Sequence, residues 1–164
     1  MENQGRICFG SAINQRKGIL GRVLVDGVPL LGWSQYRLFE DWDATVAKVS
    51  RLPAHHDTRP YIPAFFSGKF VLPSNHHNYP LDSFLDVGAG FRKGFAFLNG
   101  YNLGRYWPAA GPQVTLYAPS VYFHPAPAVN ELILFEVDHS PTTAAELQVH
   151  FTDHHVINGP VHKD

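Results

Sequence analysis

The chain has 164 residues, enough for one domain or one domain and part of a second, and long enough to bury roughly 68–70% of its unfolded surface. Hydrophobic residues make up 45% and charged residues 16%, which excludes a disordered chain. The formal net charge is -1 and no basic block occurs, so nucleic acid and anionic membranes are excluded as natural partners.

The first residues, MENQGRICFG, lack the apolar core of a signal peptide. Gly5 to Gly10 reads as mid-strand text, so the chain is expected to be a piece of something longer. The only cysteine, Cys8, permits no internal disulfide and no cysteine-rich zinc site, and between Ile7 and Phe9 it reads as a small buried residue. No apolar run reaches the roughly 18 residues of a membrane span, and no Asn-X-Ser/Thr sequon occurs.

Glycine (14) and proline (13) punctuate short apolar runs throughout, the pattern of many short strands. Leu20 to Val25 and Val28 to Leu31 read as a hairpin around Asp26-Gly27, a favoured two-residue turn. Trp33 to Leu38 reads as extended. Trp42, Val46 and Val49 fall at helical spacing and predict a short helix within Glu40 to Arg51. Leu52 to Pro63, with three prolines and two histidines, reads as a linker.

Strands are then predicted at Ala64 to Val71, Asp82 to Val87, Gly94 to Leu98, Tyr101 to Tyr106, Val114 to Ala118, Glu131 to Val137 and Leu147 to Phe151. So many strands in so short a stretch imply an antiparallel sandwich. In Glu131 to Glu136, Leu132 and Leu134 share one face and Ile133 and Phe135 the other. A strand apolar on both faces belongs in the middle of a sheet covered on each side.

Asn99-Gly100 is a strong hairpin signal, because a type I′ turn needs positive φ at both positions. Phe95 and Phe97 then point one way, and Ala96 and Leu98 the other. On the return strand strict alternation groups Tyr101, Leu103 and Arg105 against Asn102, Gly104 and Tyr106. Gly104 inside a strand marks a bulge or a close backbone approach. Arg105 beside Tyr106-Trp107 is placed to stack on an aromatic ring, and Pro108 ends the strand.

The carboxylates Glu40, Asp41, Asp43, Glu131, Glu136 and Asp138 read as solvated edges and turns rather than as a catalytic pair. The adjacent pairs His55-His56, His76-His77 and His154-His155 cannot chelate one ion from a strand. His150 and His154 are four apart but lie in LQVHFTDHHV, which alternates like a strand, so loop histidines are expected and no metal. Ser67 lacks a nucleophile elbow. VGAGFRKG at 87–94 lacks phosphate-loop spacing, and no cofactor is expected.

The blocks Asn99-Gly100, Gly104 to Trp107, Gly111 to Gln113, Thr115 to Tyr117, Pro119 and Leu132 to Glu136 recur in register with a known pattern. They resemble the C-terminal β-domain of β-galactosidases of glycoside hydrolase family 35, closest to the animal lysosomal type. Glu2-Asn3-Gln4-Gly5-Arg6 resembles a block of the preceding β-domain in that family. The resemblance implies an all-β fold: a galactose-binding-like jelly-roll antiparallel β-sandwich over 62–151. Strands of a preceding β-domain would occupy 1–38, a connector with a short helix 39–61, and a tail 152–164.

The resemblance also implies that the chemistry lies elsewhere. Family members cleave terminal β-galactosides with retention, using two glutamates on a (β/α)8 barrel. Those carboxyls must sit roughly 5–5.5 Å apart, and the barrel blocks are absent here. The expected partner is that missing barrel, the expected catalytic residues in this chain are none, and the implied location is lysosomal or secreted. Phe9, in Cys8-Phe9-Gly10, stands where some relatives bring an aromatic to the mouth of the galactose pocket; it keeps the ring and lacks the hydroxyl. The alternative is a free-standing carbohydrate-binding module, with galactosides held on a platform of Tyr101, Asn102, Arg105, Tyr106 and Trp107. The competing reading packs Tyr101, Arg105 and Trp107 together as a folded corner.

Overall fold

A computed structural model describes residues 18–35, 42–49, 51, 63–73, 81–139 and 141–160. The chain divides into two compact units, Met1–Glu40 and Asp41–Asp164.

In the first unit β1 (Leu24–Val25) pairs antiparallel with β2 (Val28–Pro29). Asp26 and Gly27 take φ of 49° and 81°, the left-handed pair that a type I′ turn demands. The strands are shorter than the expected Leu20 to Leu31 hairpin, and Trp33 donates its indole N–H to the Leu30 carbonyl at 3.0 Å.

Among its described residues the second unit contains the helix α1 (Trp42–Val49) and seven strands. They are β3 (Ala64–Val71), β4 (Ser83–Asp86), β5 (Gly94–Leu98), β6 (Tyr101–Tyr106), β7 (Leu116–Ala118), β8 (Val129–Glu136) and β9 (His150–Thr152). One sheet runs β3-β8-β5-β6 and the other β7-β4-β9, all antiparallel. The fold is an antiparallel β-sandwich.

Alternation along each strand builds the core. Ala96, Leu132, Leu134 and Tyr106 of the larger sheet meet Leu85 and Leu116 of the smaller one, with Val87 and Phe91 closing the side. Phe70 and Phe151 meet at 5.5 Å, and Phe66 sets its edge against Phe91 at 5.2 Å. The opposite face of the larger sheet is apolar too. Phe97, Ile133 and Phe135 cluster there with Phe95 and Val137, and Val49 of α1 packs on them. β8 is therefore central, paired with β3 and β5 and covered on both faces.

Two strands start later than the hydrophobic pattern implies. β7 begins at Leu116 because the N–H groups of Val114 and Thr115 donate to the Val156 carbonyl, at 2.9 and 3.4 Å. β9 begins at His150 because a turn takes residues 143–147. Thr143 Oγ1 accepts from the Glu146 N–H at 3.2 Å, and Glu146 Oε2 accepts from the Thr143 N–H at 3.1 Å, a reciprocal capping pair. Beyond β9 the chain stays attached: Gly159 donates to the Pro112 carbonyl at 2.9 Å, and Val156 donates to Thr115 Oγ1 at 2.9 Å.

The expectations placed on Cys8, Phe9, the extended run beyond residue 35, the linker to residue 62 and the pairs His55-His56 and His76-His77 lie outside the described residues.

Candidate functional site

The β5–β6 hairpin turns at Asn99 and Gly100, with φ of 49° and 87°. The Asn99 side chain is more than a turn former. Its Oδ1 accepts from the Glu131 N–H at 2.8 Å, and its Nδ2 donates to the Tyr122 carbonyl at 2.7 Å and to Asn130 Oδ1 at 2.8 Å. Asn130 is fully buried and satisfied: Oδ1 accepts from the His124 N–H at 2.7 Å and Nδ2 donates to the His124 carbonyl at 2.9 Å. One amide pair thus ties the turn to β8 and to the 120–124 segment.

The return strand carries the bulge that Gly104 implied. Pairing runs Leu98 with Tyr101 and Phe97 with Asn102, then resumes at Ala96 with Gly104, so Leu103 is the extra residue. Gly104 has φ of 108°, and its N–H donates to Asn102 Oδ1 at 2.8 Å. The bulge corrects the face assignment, because an inserted residue reverses the alternation beyond it. Leu103 and Tyr106 both pack into the core, whereas Arg105 lies across from Phe95 on the other face.

These placements separate the five residues put forward as a sugar platform. Tyr106 is corrected outright: it is 1% exposed, and its hydroxyl donates to Glu136 Oε2 at 3.1 Å. A ring so buried has no face left for a sugar. Burial first, then the charge of Glu136 and its hydrogen bond, push the phenol well above its ordinary range, so it stays protonated. Arg105 and Trp107 do meet, with the guanidinium carbon 4.9 Å from the ring centre, and Lys93 Nζ lies 4.2 Å from the same ring. One indole therefore draws two cations. Asn102 is exposed, with its oxygen engaged by Gly104. Tyr101 leaves the corner entirely: it is 51% exposed and lies flat on Tyr122, centroids 4.2 Å apart and planes 4° apart. Tyr122, twenty-one residues away in sequence, carried no signal of this pairing.

Glu136 was also missed. Expected at a solvated edge, it is 1% exposed. Oε1 accepts from the N–H groups of Lys93, Val137, Asp138 and His139, at 3.1, 3.1, 2.8 and 3.1 Å. Oε2 accepts from the Arg92 N–H at 2.8 Å, the Lys93 N–H at 3.3 Å and the Tyr106 hydroxyl. A carboxylate filled by backbone donors and hidden from water organises the loops on either side of it. Gly94 sits beside this junction, where a Cβ would collide with the Phe135 carbonyl and the Tyr106 hydroxyl. Only a bare backbone lets Tyr106 pass beneath it.

Asp82 serves a turn, whereas Glu131 bridges two strands. Asp82 Oδ2 accepts from the Tyr117 hydroxyl and Oδ1 from the Ser120 N–H, both at 2.7 Å, which holds its carboxyl below the usual range. Ser67 donates to Glu131 Oε1 at 2.8 Å. His154 meets Asp153 at 2.8 Å, and His155 sets its edge against Phe84 at 5.8 Å. Among the described residues no three metal-ligating side chains converge.

Comparison with known families matches residues 1–39 to the first all-beta domain of beta-galactosidase and residues 63–130 to its galactose-binding domain. The chain belongs to the β-galactosidase family. Beta-galactosidase of Macaca fascicularis is 35% identical over 96% of this chain, and that of Homo sapiens 33% identical over all of it. Beta-galactosidase 8 of Oryza sativa subsp. japonica is 32% identical over 86%. This β-galactosidase-family chain spans about a quarter of the length of the curated relatives it matches, 24–26% in these three. Among its described residues no helix is long and apolar enough to cross a membrane.

Proposed function

We propose that this chain is the non-catalytic C-terminal β region of a β-galactosidase, and that it buttresses a (β/α)8 barrel of the same enzyme which performs the hydrolysis. The observation that carries the reading is the succession of the two matched domains, first all-beta then galactose-binding, along one chain. The inward-turned carboxylate of Glu136 supports it, since the most enclosed acid of the sandwich is committed to backbone donors. In this reading the barrel supplies both glutamates, Phe9 stands at the mouth of its galactose pocket, and the assembly works in the lysosome or outside the cell.

The test is hydrolysis of nitrophenyl β-galactoside. The chain alone should release no nitrophenol, and joined to a family barrel that is inactive by itself it should restore turnover. Release by the chain alone, or a barrel indifferent to its presence, overturns the reading. A free-standing carbohydrate-binding module remains the second reading, favoured by the exposed ring of Tyr101.

A further inference from the structure

We infer that Asn158 is a site of spontaneous deamidation, and that its conversion to aspartate and isoaspartate releases residues 156–160 from β7. The sequence holds two Asn-Gly pairs, Asn99-Gly100 and Asn158-Gly159. Glycine leaves its own amide nitrogen unscreened and its backbone free to turn, so either pair is chemically competent. The fold treats them oppositely.

Asn99 is held fast. Its side chain accepts from the Glu131 N–H and donates to the Tyr122 carbonyl and to Asn130 Oδ1, all within 2.8 Å, and Asn130 is fully buried. Freeing that amide means detaching the hairpin from β8. Asn158 is exposed, and its side chain makes no hydrogen bond among the described residues. Of the reacting groups there, only the Gly159 nitrogen is engaged, donating to the Pro112 carbonyl at 2.9 Å. Lifting that one bond is a local opening of a few residues.

The Gly159 nitrogen gives its proton to solvent and attacks Asn158 Cγ. An N–Cγ bond forms, the Cγ–Nδ2 bond breaks, and ammonia leaves. Water then opens the five-membered imide at either carbonyl, giving aspartate or isoaspartate. Asp26-Gly27 reaches the same product only through a protonated carboxyl, which is scarce at neutral pH, so it lags.

The isoaspartyl form threads the backbone through the side chain and adds one carbon between two anchors. Those anchors are the Val156 carbonyl, which accepts from the Val114 and Thr115 N–H groups, and the Gly159 N–H. The seat has no slack: a Cβ on Gly111 would collide with the Pro160 carbonyl, and one on Gly159 with Val114 Cγ2. The longer backbone cannot keep both anchors, so the amides beside β7 lose their acceptor.

Peptide mapping of the 164-residue chain aged at mildly alkaline pH tests this, with isoaspartate read by enzymatic carboxyl methylation. In the folded chain Asn158 should convert at least about tenfold faster than Asn99, and in strong urea the two rates should converge. The isoaspartyl fraction, separated by its extra negative charge, should exchange the Val114 and Thr115 amides with deuterium at least about tenfold faster, with β8 unchanged. Asn158→Gln should keep slow exchange at both amides through the same ageing. Equal conversion of Asn99 in the folded chain, a preference for Asn158 that persists in urea, unchanged exchange at Val114 and Thr115 in the isoaspartyl form, or equal loosening of aged Asn158→Gln overturns the proposal.

Discussion

A single buried carboxylate decides how two loops of this sandwich meet. Glu136 accepts from five backbone N–H groups and one phenol, and of the five amides that of Val137 has a second acceptor, the Lys93 carbonyl at 2.9 Å. Glu136→Gln puts an amide N–H₂ among those donors and is expected to cost about 3 kcal/mol or more, read as a lower urea midpoint at unchanged slope. Tyr106→Phe removes one donor and should cost less, about 1–2 kcal/mol. The same phenol fixes a pH dependence. Its folded-state pKa is raised above 10.0, so its contribution is complete below that value and falls away as pH rises and the unfolded chain alone gives up the proton. Asp82 works in the opposite direction: its pKa is depressed below 3.8, so its contribution is present above that pH and is lost on acidification. Asp82→Asn should flatten the acid limb of a melting-temperature profile, and it should also soften the alkaline limb, because the same carboxylate raises the Tyr117 phenol through their hydrogen bond. Sequence made the Arg105–Trp107 contact legible because the partners are two residues apart. It hid Glu136, whose donors come from residues 92–93 and 137–139, and it hid the Tyr101–Tyr122 stack, because only the folded chain brings those groups together.

Among the elements, β6 shows what one extra residue does. Gly104 takes φ of 108°, and a Cβ there would meet nothing within 4 Å. The space is open and only the backbone objects. Gly104→Ala should therefore cost roughly 1–3 kcal/mol through backbone strain alone, and the substitution should leave the Lys93–Trp107–Arg105 contact in place, which tryptophan fluorescence can follow. The strands at 64–71, 94–98 and 101–106 follow from alternation and from Asn99-Gly100 without help from the structure. The faces of β6 did not, because a glycine announces a bulge but not which neighbour is inserted. β7 and β9 were overestimated for a related reason: hydrogen-bond partners at Val156 and Glu146 compete for residues whose apolar character alone reads as strand.

For the second unit as a whole, protection should follow centrality. β8 is paired on both edges and apolar on both faces, so the amides of Leu132 to Phe135 should exchange slowest with deuterium, at the global unfolding free energy. Faster exchange there than in β9 would contradict a core organised around β8. This centrality was legible in ELILFE, whose two faces are equally apolar. The fastening of residues 156–160 was not, since nothing in that stretch looks like a strand. Its consequence is practical. Val156 and Gly159 serve as the missing rung beside β7, so trimming the polypeptide to residue 155 would unzip a seam and bare the amides of Val114 and Thr115. Material shortened in that way should clump through the newly opened margin.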